Sequence, residues 1–413
     1  MFPTASLTAA LLLALGAVAS PTALIRDSPI TLPFAKVVNI TSPQHLVQHD
    51  QARAKSLVDR ANAKINGLSS DAVVSVPAEN QAVSYVVNVG VGSPATTYSL
   101  IVDTGSSNTW VGAGRAYVRT STSTQTSDRV AVTYGSGSFS GTEFTDQVSL
   151  GTGLTITRQS IGTATRSTGF DGVDGILGIG PVDLTVGTLS PDTRDTIPTV
   201  TDNLFTQGTI SAREVSVSFE PTTSLSSVNG ELTFGGTDSS KFTGSITFAP
   251  LTTTSPASEF WGISQSITYG TAGTSILSTT AGIVDTGTTL VLIASDAFAR
   301  YQAATGAVMD ANTGLLRLTT AQFANLQTLN FRINGATFGL TPNAQIWPRA
   351  LNSAIGGTAN NVYLIVGNIG TRTGAGLDFI NGMTFLERFY SVFDTTNRRV
   401  GFATTPFTTA TTN

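Results

Sequence analysis

A nine-residue stretch occurs twice in this chain, 182 positions apart, and the repetition constrains the architecture more than any single local element. Tyr98-Ser99-Leu100-Ile101-Val102-Asp103-Thr104-Gly105-Ser106 is echoed by Thr280-Ala281-Gly282-Ile283-Val284-Asp285-Thr286-Gly287-Thr288. Each copy is followed by a hydrophobic-x-Gly element, Ile176-Leu177-Gly178 in the first half and Ile380-Asn381-Gly382 in the second. Self-similarity at this range implies two related halves, a pseudo-dimer within one chain. In both copies an apolar, β-branched run leads straight into Asp-Thr-Gly, which reads as a buried strand ending in a tight turn. A single Asp-Thr-Gly carries little weight in a chain this rich in Thr and Gly, but two copies with matching flanks do not arise from composition. Asp394-Thr395, with no Gly after it, reads as an ordinary Asx-type turn.

The texture around the repeat is that of strands. From Val73 onward short β-branched runs alternate with turn clusters, as in Val83 to Val91, Gly92-Ser93-Pro94 and Tyr98 to Val102. Charged residues make up only 12% of the chain, which suits a strand- and turn-rich body better than one of solvent-facing helices. One helix stands out in the second half, with Ser295 as N-cap, Phe298 and Tyr301 on one face and Gly306 as its stop. The prediction is therefore an all-β fold with a few short helices. Before residue 72 the pattern differs. Residues 1–19 hold an uninterrupted apolar stretch, Leu7 to Ala19, too short to span a bilayer and ending Ala17-Val18-Ala19, as a signal peptide does. Ser42 as N-cap and Pro43 as first residue then introduce a helix in which Leu46, Val47, Ala54, Leu57, Val58 and Ala61 recur at helical spacing up to Gly67. Of 22 basic and 26 acidic residues, six and four lie in residues 1–71. The remaining 16 and 22 give residues 72–413 a net charge of −6. A basic leader and an acidic body attract each other at neutral pH, and acid weakens that attraction by protonating carboxylates. The expected organisation is a signal peptide at 1–19, a leader at 20–71, a first lobe at 72–239 carrying Asp103 and a second at 240–413 carrying Asp285.

Whole classes of chemistry are excluded by residue type. Cysteine is absent, and both histidines, His45 and His49, lie in the leader. A body released from that leader has no Ser-His-Asp or Cys-His catalysis, no thiolate metal site and no disulfide to stabilise it. No basic patch with interleaved aromatics suggests nucleic-acid binding, and no segment beyond the signal is long and apolar enough for a membrane helix. What remains is the pair of carboxylates. Asp103 and Asp285 brought together cannot both ionise cheaply, so they share one proton. One then serves as base toward a water molecule and the other as acid toward a carbonyl oxygen. Gly105 and Gly287 bring backbone N–H groups to the carboxylates, Thr104 and Thr286 can tie the two turns together, and Ser106 and Thr288 can donate to the outer carboxylate oxygens. No cofactor and no metal is expected. A glycosidase also uses paired carboxylates, but nothing in that chemistry calls for matched Asp-Thr-Gly turns.

Ile101-Val102-Asp103-Thr104-Gly105-Ser106-Ser107-Asn108-Thr109-Trp110 and Ile283-Val284-Asp285-Thr286-Gly287-Thr288 resemble the paired active-site motifs of pepsin-like aspartic proteases. Val132-Thr133-Tyr134-Gly135-Ser136-Gly137-Ser138 is similar to that family's flap. Asp174 to Gly178, Trp261-Gly262-Ile263 and Phe389 to Asp394 extend the resemblance over essentially the whole chain. The resemblance implies a bilobal fold with pseudo-two-fold symmetry, a cleft between the lobes, and secretion as a monomeric zymogen that digests peptide and protein substrates in acid. It assigns Tyr134 as the flap tyrosine, Trp110 as its hydrogen-bond partner, Gly135 and Ser136 as contacts to the substrate backbone, and Ile176 to an apolar pocket. With Ser136 after the flap Gly, apolar or aromatic residues are expected beside the scissile bond. By the same resemblance the leader is a propeptide whose basic residue caps the dyad, with Lys36, Lys55 and Lys64 as the candidates. A relative that binds without cleaving would show a damaged triplet or lack the flap tyrosine, and this chain has neither defect. Polar Asn381 departs from the leucine usual in the second hydrophobic-x-Gly element, which questions the packing behind Asp285.

Overall fold

A computed structural model describes residues 29–38, 45–66, 83–135 and 137–413. The expected signal peptide, the helix start at Ser42-Pro43, the boundary near 71 and the flap residue Ser136 lie outside the described residues. The chain is built from strands, as its β-branched runs predict. The elements used below are β1 (Ile30–Val38), α1 (His45–Ile65), β2 (Val83–Val91), β3 (Thr96–Asp103), β4 (Thr109–Val111), β5 (Thr124–Thr133), β6 (Ser138–Ser149), β7 (Thr155–Thr168), β8 (Gly175–Gly178) and β9 (Leu189–Ser190). They continue with β10 (Glu214–Ser218), β11 (Ser226–Phe234), β12 (Thr243–Pro250), β13 (Gly262–Tyr269), β14 (Thr274–Val284), β15 (Val291–Ile293) and α2 (Ser295–Thr305). The last are β16 (Leu329–Ile333), β17 (Ala336–Leu340), β18 (Val366–Asn368), β19 (Phe379–Asn381), β20 (Phe389–Asp394) and β21 (Arg399–Thr404).

The 182-residue repeat is visible as topology. In the first half β3 runs parallel to β8, with Asp103 opposite Gly178, and β8 pairs antiparallel with β4. In the second half β14 runs parallel to β19, with Val284 opposite Asn381, and β19 pairs antiparallel with β15. Each hydrophobic-x-Gly element is thus the strand that buries its own Asp-Thr-Gly strand. Ile101, Val102, Ile283 and Val284 are all buried, so the runs ahead of the triplets are core strands, and each Asp sits where its strand ends. A 14-stranded sheet, in the order β12-β21-β20-β10-β11-β1-β2-β3-β8-β4-β7-β6-β5-β9, and a 7-stranded sheet, β17-β16-β13-β14-β19-β15-β18, carry the two copies. The long sheet draws β12, β20 and β21 from the second half, and Trp261 donates from Nε1 to the Ile179 carbonyl at 3.2 Å, so the halves are sewn together as well as apposed.

Several local expectations are corrected. The segment before residue 72 contributes a strand, β1, besides the expected helix. Its alternation buries Leu32, Phe34 and Lys36, and it lies between β11 and β2. Pro33, which has no N–H to give a ladder, falls on the part of β1 that pairs with β11 alone. Gly306 does end α2 in a left-handed conformation (φ 67°), but the N-cap is Ala294, because the Ser295 hydroxyl is turned toward Asn368 Oδ1 at 2.8 Å. Asn381 needs no apolar pocket. It exchanges two hydrogen bonds with Gln265, Nδ2 to Oε1 at 2.8 Å and Gln265 Nε2 to Oδ1 at 3.0 Å, so the buried amide is fully paired behind Asp285.

Candidate active site

The two triplets meet and lock. Thr104 N donates to Thr286 Oγ1 at 3.0 Å and Thr286 N to Thr104 Oγ1 at 2.9 Å, while each hydroxyl donates onward to the opposite strand, at Val284 O (3.3 Å) and Val102 O (3.0 Å). Four buried bonds related by the pseudo-two-fold thus satisfy the turn of each half with groups of the other. The carboxylates are furnished alike. Gly105 N reaches Asp103 Oδ1 at 2.9 Å, and Gly287 N reaches Asp285 Oδ1 at 3.1 Å. Ser106 Oγ and Thr288 Oγ1 each donate to Oδ2 of their own aspartate at 2.5 Å. The glycines are required for space rather than for a left-handed turn: a Cβ on Gly105 would lie 2.7 Å from Asp285 Oδ1, and one on Gly287 2.7 Å from Asp103 Oδ1. Only a residue without a side chain lets each turn approach the other carboxylate this closely.

Between the carboxylates lies a side chain that the sequence reading did not single out. Arg53, buried on α1, donates from Nη2 to Asp103 Oδ1 at 2.5 Å and to Asp285 Oδ1 at 2.8 Å, and from Nε to Asp285 Oδ2 at 2.7 Å. The three lysines considered for this place are engaged elsewhere. Lys36 pairs with buried Glu387 at 2.5 Å, Lys55 faces outward to Asp59 at 2.6 Å, and Lys64 reaches Glu259 at 2.7 Å. A planar guanidinium fork serves two carboxylates at once, which a single ammonium does less well. Burial pushes the Asp285 carboxyl upward, but the Arg53 charge and the hydrogen bonds from Arg53, Thr288 and Gly287 outweigh it and hold the group below the ordinary value of 3.8. Burial opposes the charge on Arg53 as well, and the two aspartates more than restore it.

The helical phase of α1 explains the selection. Leu46, Asp50, Arg53, Ala54, Leu57 and Ala61 form its buried stripe at spacings of three and four, and Lys55 lies off it. That periodicity was available in the sequence and distinguishes Arg53 from Lys55. The same face brings Asp50 to the backbone N–H of Leu290 at 2.7 Å and of Thr289 at 3.3 Å, just beyond the second triplet. It also brings Arg60 to the Gly105 carbonyl at 2.7 Å, with its guanidinium 5.8 Å from the Tyr134 ring centre.

Tyr134 is buried, and its hydroxyl accepts from Trp110 Nε1 at 3.0 Å. At Gly135 a Cβ would collide with the Arg53 backbone, so the hairpin tip between β5 and β6 lies directly on α1. Ile176 packs with Ile101, Trp110, Tyr134, Phe170 and Val173 in an apolar cluster separate from the main core, at the wall of the cleft. The site as it stands holds two carboxylates, their hydroxyl and amide donors, a hairpin lid and an apolar wall, with a helix of the same chain occupying the space a ligand would need.

Comparison with known proteins places this arrangement. A family model described as eukaryotic aspartyl protease matches residues 84–405. Polyporopepsin of Irpex lacteus is 75% identical over 339 residues, covering 82% of this chain and 99% of that protein. Cathepsin E of Rattus norvegicus is 32% identical over 339 residues, with 77% of this chain and 79% of that protein covered. The crystal structure of an aspartic proteinase from Irpex lacteus superposes with a TM-score of 0.80 at 65% identity, over 94% of this chain and all of that one.

Proposed function

The chain belongs to the eukaryotic aspartyl protease family, and from that premise we propose that it is the secreted, acid-activated zymogen of an endopeptidase whose catalytic residues are Asp103 and Asp285. The observation that carries the reading is the single guanidinium of Arg53 shared by two symmetrically furnished carboxylates. With α1 gone, the space between Asp103 and Asp285 admits a water molecule, and the excess negative charge is relieved by one proton held between them. The ionised aspartate takes a proton from the water as its oxygen bonds to the peptide carbonyl carbon, and the protonated aspartate gives its proton to the carbonyl oxygen. The tetrahedral diol then collapses. The C–N bond breaks, a proton passes to the leaving nitrogen, and the dyad returns to its singly protonated state.

The remaining residues act by position. Thr104 and Thr286 fix the separation of the carboxylates, and Ser106 and Thr288 orient their outer oxygens. Tyr134, Gly135 and Ser136 close over the peptide, with Trp110 holding the tyrosine. Ile176 and its neighbours favour apolar or aromatic residues beside the scissile bond. Residues 20–71 are the inhibitory propeptide, and 1–19 the signal that sends a monomeric protein out of the cell. Two facts support a leader set apart from the body: the family match begins at residue 84, and polyporopepsin is matched over 99% of its own length but only 82% of this chain.

Acidifying the precursor tests the whole reading. A shortened chain beginning near residue 72 should appear, digest a denatured protein and be blocked by a statine-type transition-state mimic. Asp103→Asn and Asp285→Asn should each lower kcat by at least about 10²–10⁴-fold, the range that general acid–base groups supply. Undiminished activity in either variant would overturn the assignment.

A further inference from the structure

A recess of about 500 Å³ lies beside the flap hairpin, away from the dyad. Its floor is the outward face of β9, β5, β6 and β7. Arg129 stands opposite Ser190 on one side and Thr142 on the other, and Arg166 stands opposite Ser140. Ser140 and Thr142 are two apart on β6, and although the β6–β7 register is interrupted at Thr165, both arginines line the recess. They are exposed, no carboxylate lines the recess, and neither makes an ion pair with a described residue. The carboxylates on the same strands are buried and already engaged. Asp128 accepts from Asp192 N at 3.2 Å, and Glu143 accepts from Thr126 Oγ1 at 3.0 Å and from the Ser160 hydroxyl. Residues 72–413, of net charge −6, thus carry a cationic recess with no carboxylate in its lining.

The recess adjoins the cleft. Thr188 lines it and also lines the next hollow, which lies between Val132, Leu184 and Val186 on one side and Arg60, Ala63 and Lys64 of α1 on the other. A peptide in place of α1 that left the cleft past Thr188 would run toward the recess. The strand spacing puts the two arginine Cα atoms about 12 Å apart, near the roughly 13 Å between residues i and i+4 of an extended peptide. Guanidinium forks donate bidentately to carboxylates, and the hydroxyls of Ser140 and Thr142 lie between the two arginines, with that of Ser190 beyond Arg129, as partners for the peptide backbone.

We propose that Arg129 and Arg166 form an exosite for an acidic segment of the protein substrate, outside the residues that flank the scissile bond. The inference rests on the proteolytic reading above. Its test uses the acid-activated enzyme and matched fluorogenic peptides sharing one apolar core, extended at either end by a segment carrying Glu at i and i+4 or Gln at the same places. Assays run at pH 5, above the ordinary Glu value of about 4.3. At one end, Glu should raise kcat/KM about fivefold over Gln, as two exposed ion pairs of about 0.5 kcal/mol each imply. The gain should lie in KM and shrink in 0.5 M salt. In the Arg129→Gln/Arg166→Gln variant the Glu and Gln peptides should be cleaved alike, at the wild-type rate for the Gln peptide. Equal cleavage of Glu and Gln peptides by the wild type at both ends would overturn the exosite while leaving the protease intact. An equal loss on both peptides in the variant would make the arginines structural. Failure of the wild type to cleave any peptide would instead remove the proteolytic reading, and the exosite with it.

Discussion

Arg53 sets three hydrogen bonds on two carboxylates that would otherwise repel each other, and its removal has a calculable direction. Against the upward push of burial, the Arg53 guanidinium and its neighbours hold the Asp285 carboxyl below its ordinary value of 3.8, so the contribution of this contact to the docking of α1 is fully present above that pH. It is lost as pH falls through the depressed value, and acid is therefore required to discharge the contact. In Arg53→Gln the neutral amide cannot compensate the dyad, and breaking a buried pair of this kind costs about 3–5 kcal/mol. The pH midpoint of leader release, followed by electrophoresis of the shortened chain, should rise by a unit or more. Arg53→Lys, which keeps the charge but not the fork, should fall between. An unchanged midpoint in Arg53→Gln would show that the leader is held by other contacts, of which Asp50 on the Thr289 and Leu290 amides is the foremost. Asp103, Asp285 and their hydroxyl partners were legible because their chemistry is written in contiguous residues. Arg53 is less legible because its role depends on which face of α1 meets the cleft, a phase that Leu46, Leu57 and Ala61 define and that only the docked helix turns into a contact.

At the scale of elements, two strand ends are held in register by threonine side chains rather than by a shared ladder. Thr286→Val removes a hydroxyl that accepts from Thr104 N and donates to Val102 O, leaving a buried N–H and a buried carbonyl without these partners. At about 1–3 kcal/mol for each orphaned group, the activated enzyme should lose roughly 2–6 kcal/mol and melt several degrees lower. Thr286→Ser keeps the hydroxyl and should recover most of the loss in both Tm and kcat. A serine variant as unstable as the valine one would assign the effect to packing of the methyl group. The repeat foretold this symmetry, since matched triplets demand matched supports. It did not reveal β1, although Ile30, Leu32 and Phe34 alternate as a strand should. Pro33 and Lys36 interrupt that pattern for a reader of sequence. In the fold the one lies where a ladder partner is missing, and the other is neutralised by Glu387.

Across the whole molecule, an acidic body without disulfides must hold its sheets together by packing and hydrogen bonds, and its carboxylates set the pH range in which it can do so. Glu214 on β10 stands directly opposite Asp394 on β20, within the long sheet that joins the two halves. Partial burial and the Asp394 charge push the Glu214 carboxyl up from 4.5 to about 7, against a smaller opposing pull from Arg399. A carboxyl raised in the folded state keeps its proton there longer than in the unfolded chain, so the folded form binds more protons between these two values. Stability therefore falls as pH rises from about 4.5 to 7. The full shift corresponds to about 3 kcal/mol, and solvent screening at this partly exposed site reduces it to about 1–2 kcal/mol. Glu214→Gln removes the titration while keeping the shape. Urea unfolding of the activated enzyme should show little difference between variant and wild type at pH 4.5. At pH 7.5 the variant should be about 1–2 kcal/mol more stable, narrowing the loss that the wild type suffers on leaving acid. Parallel pH profiles for the two proteins would place the neutral instability elsewhere, in carboxylates that do not join the halves.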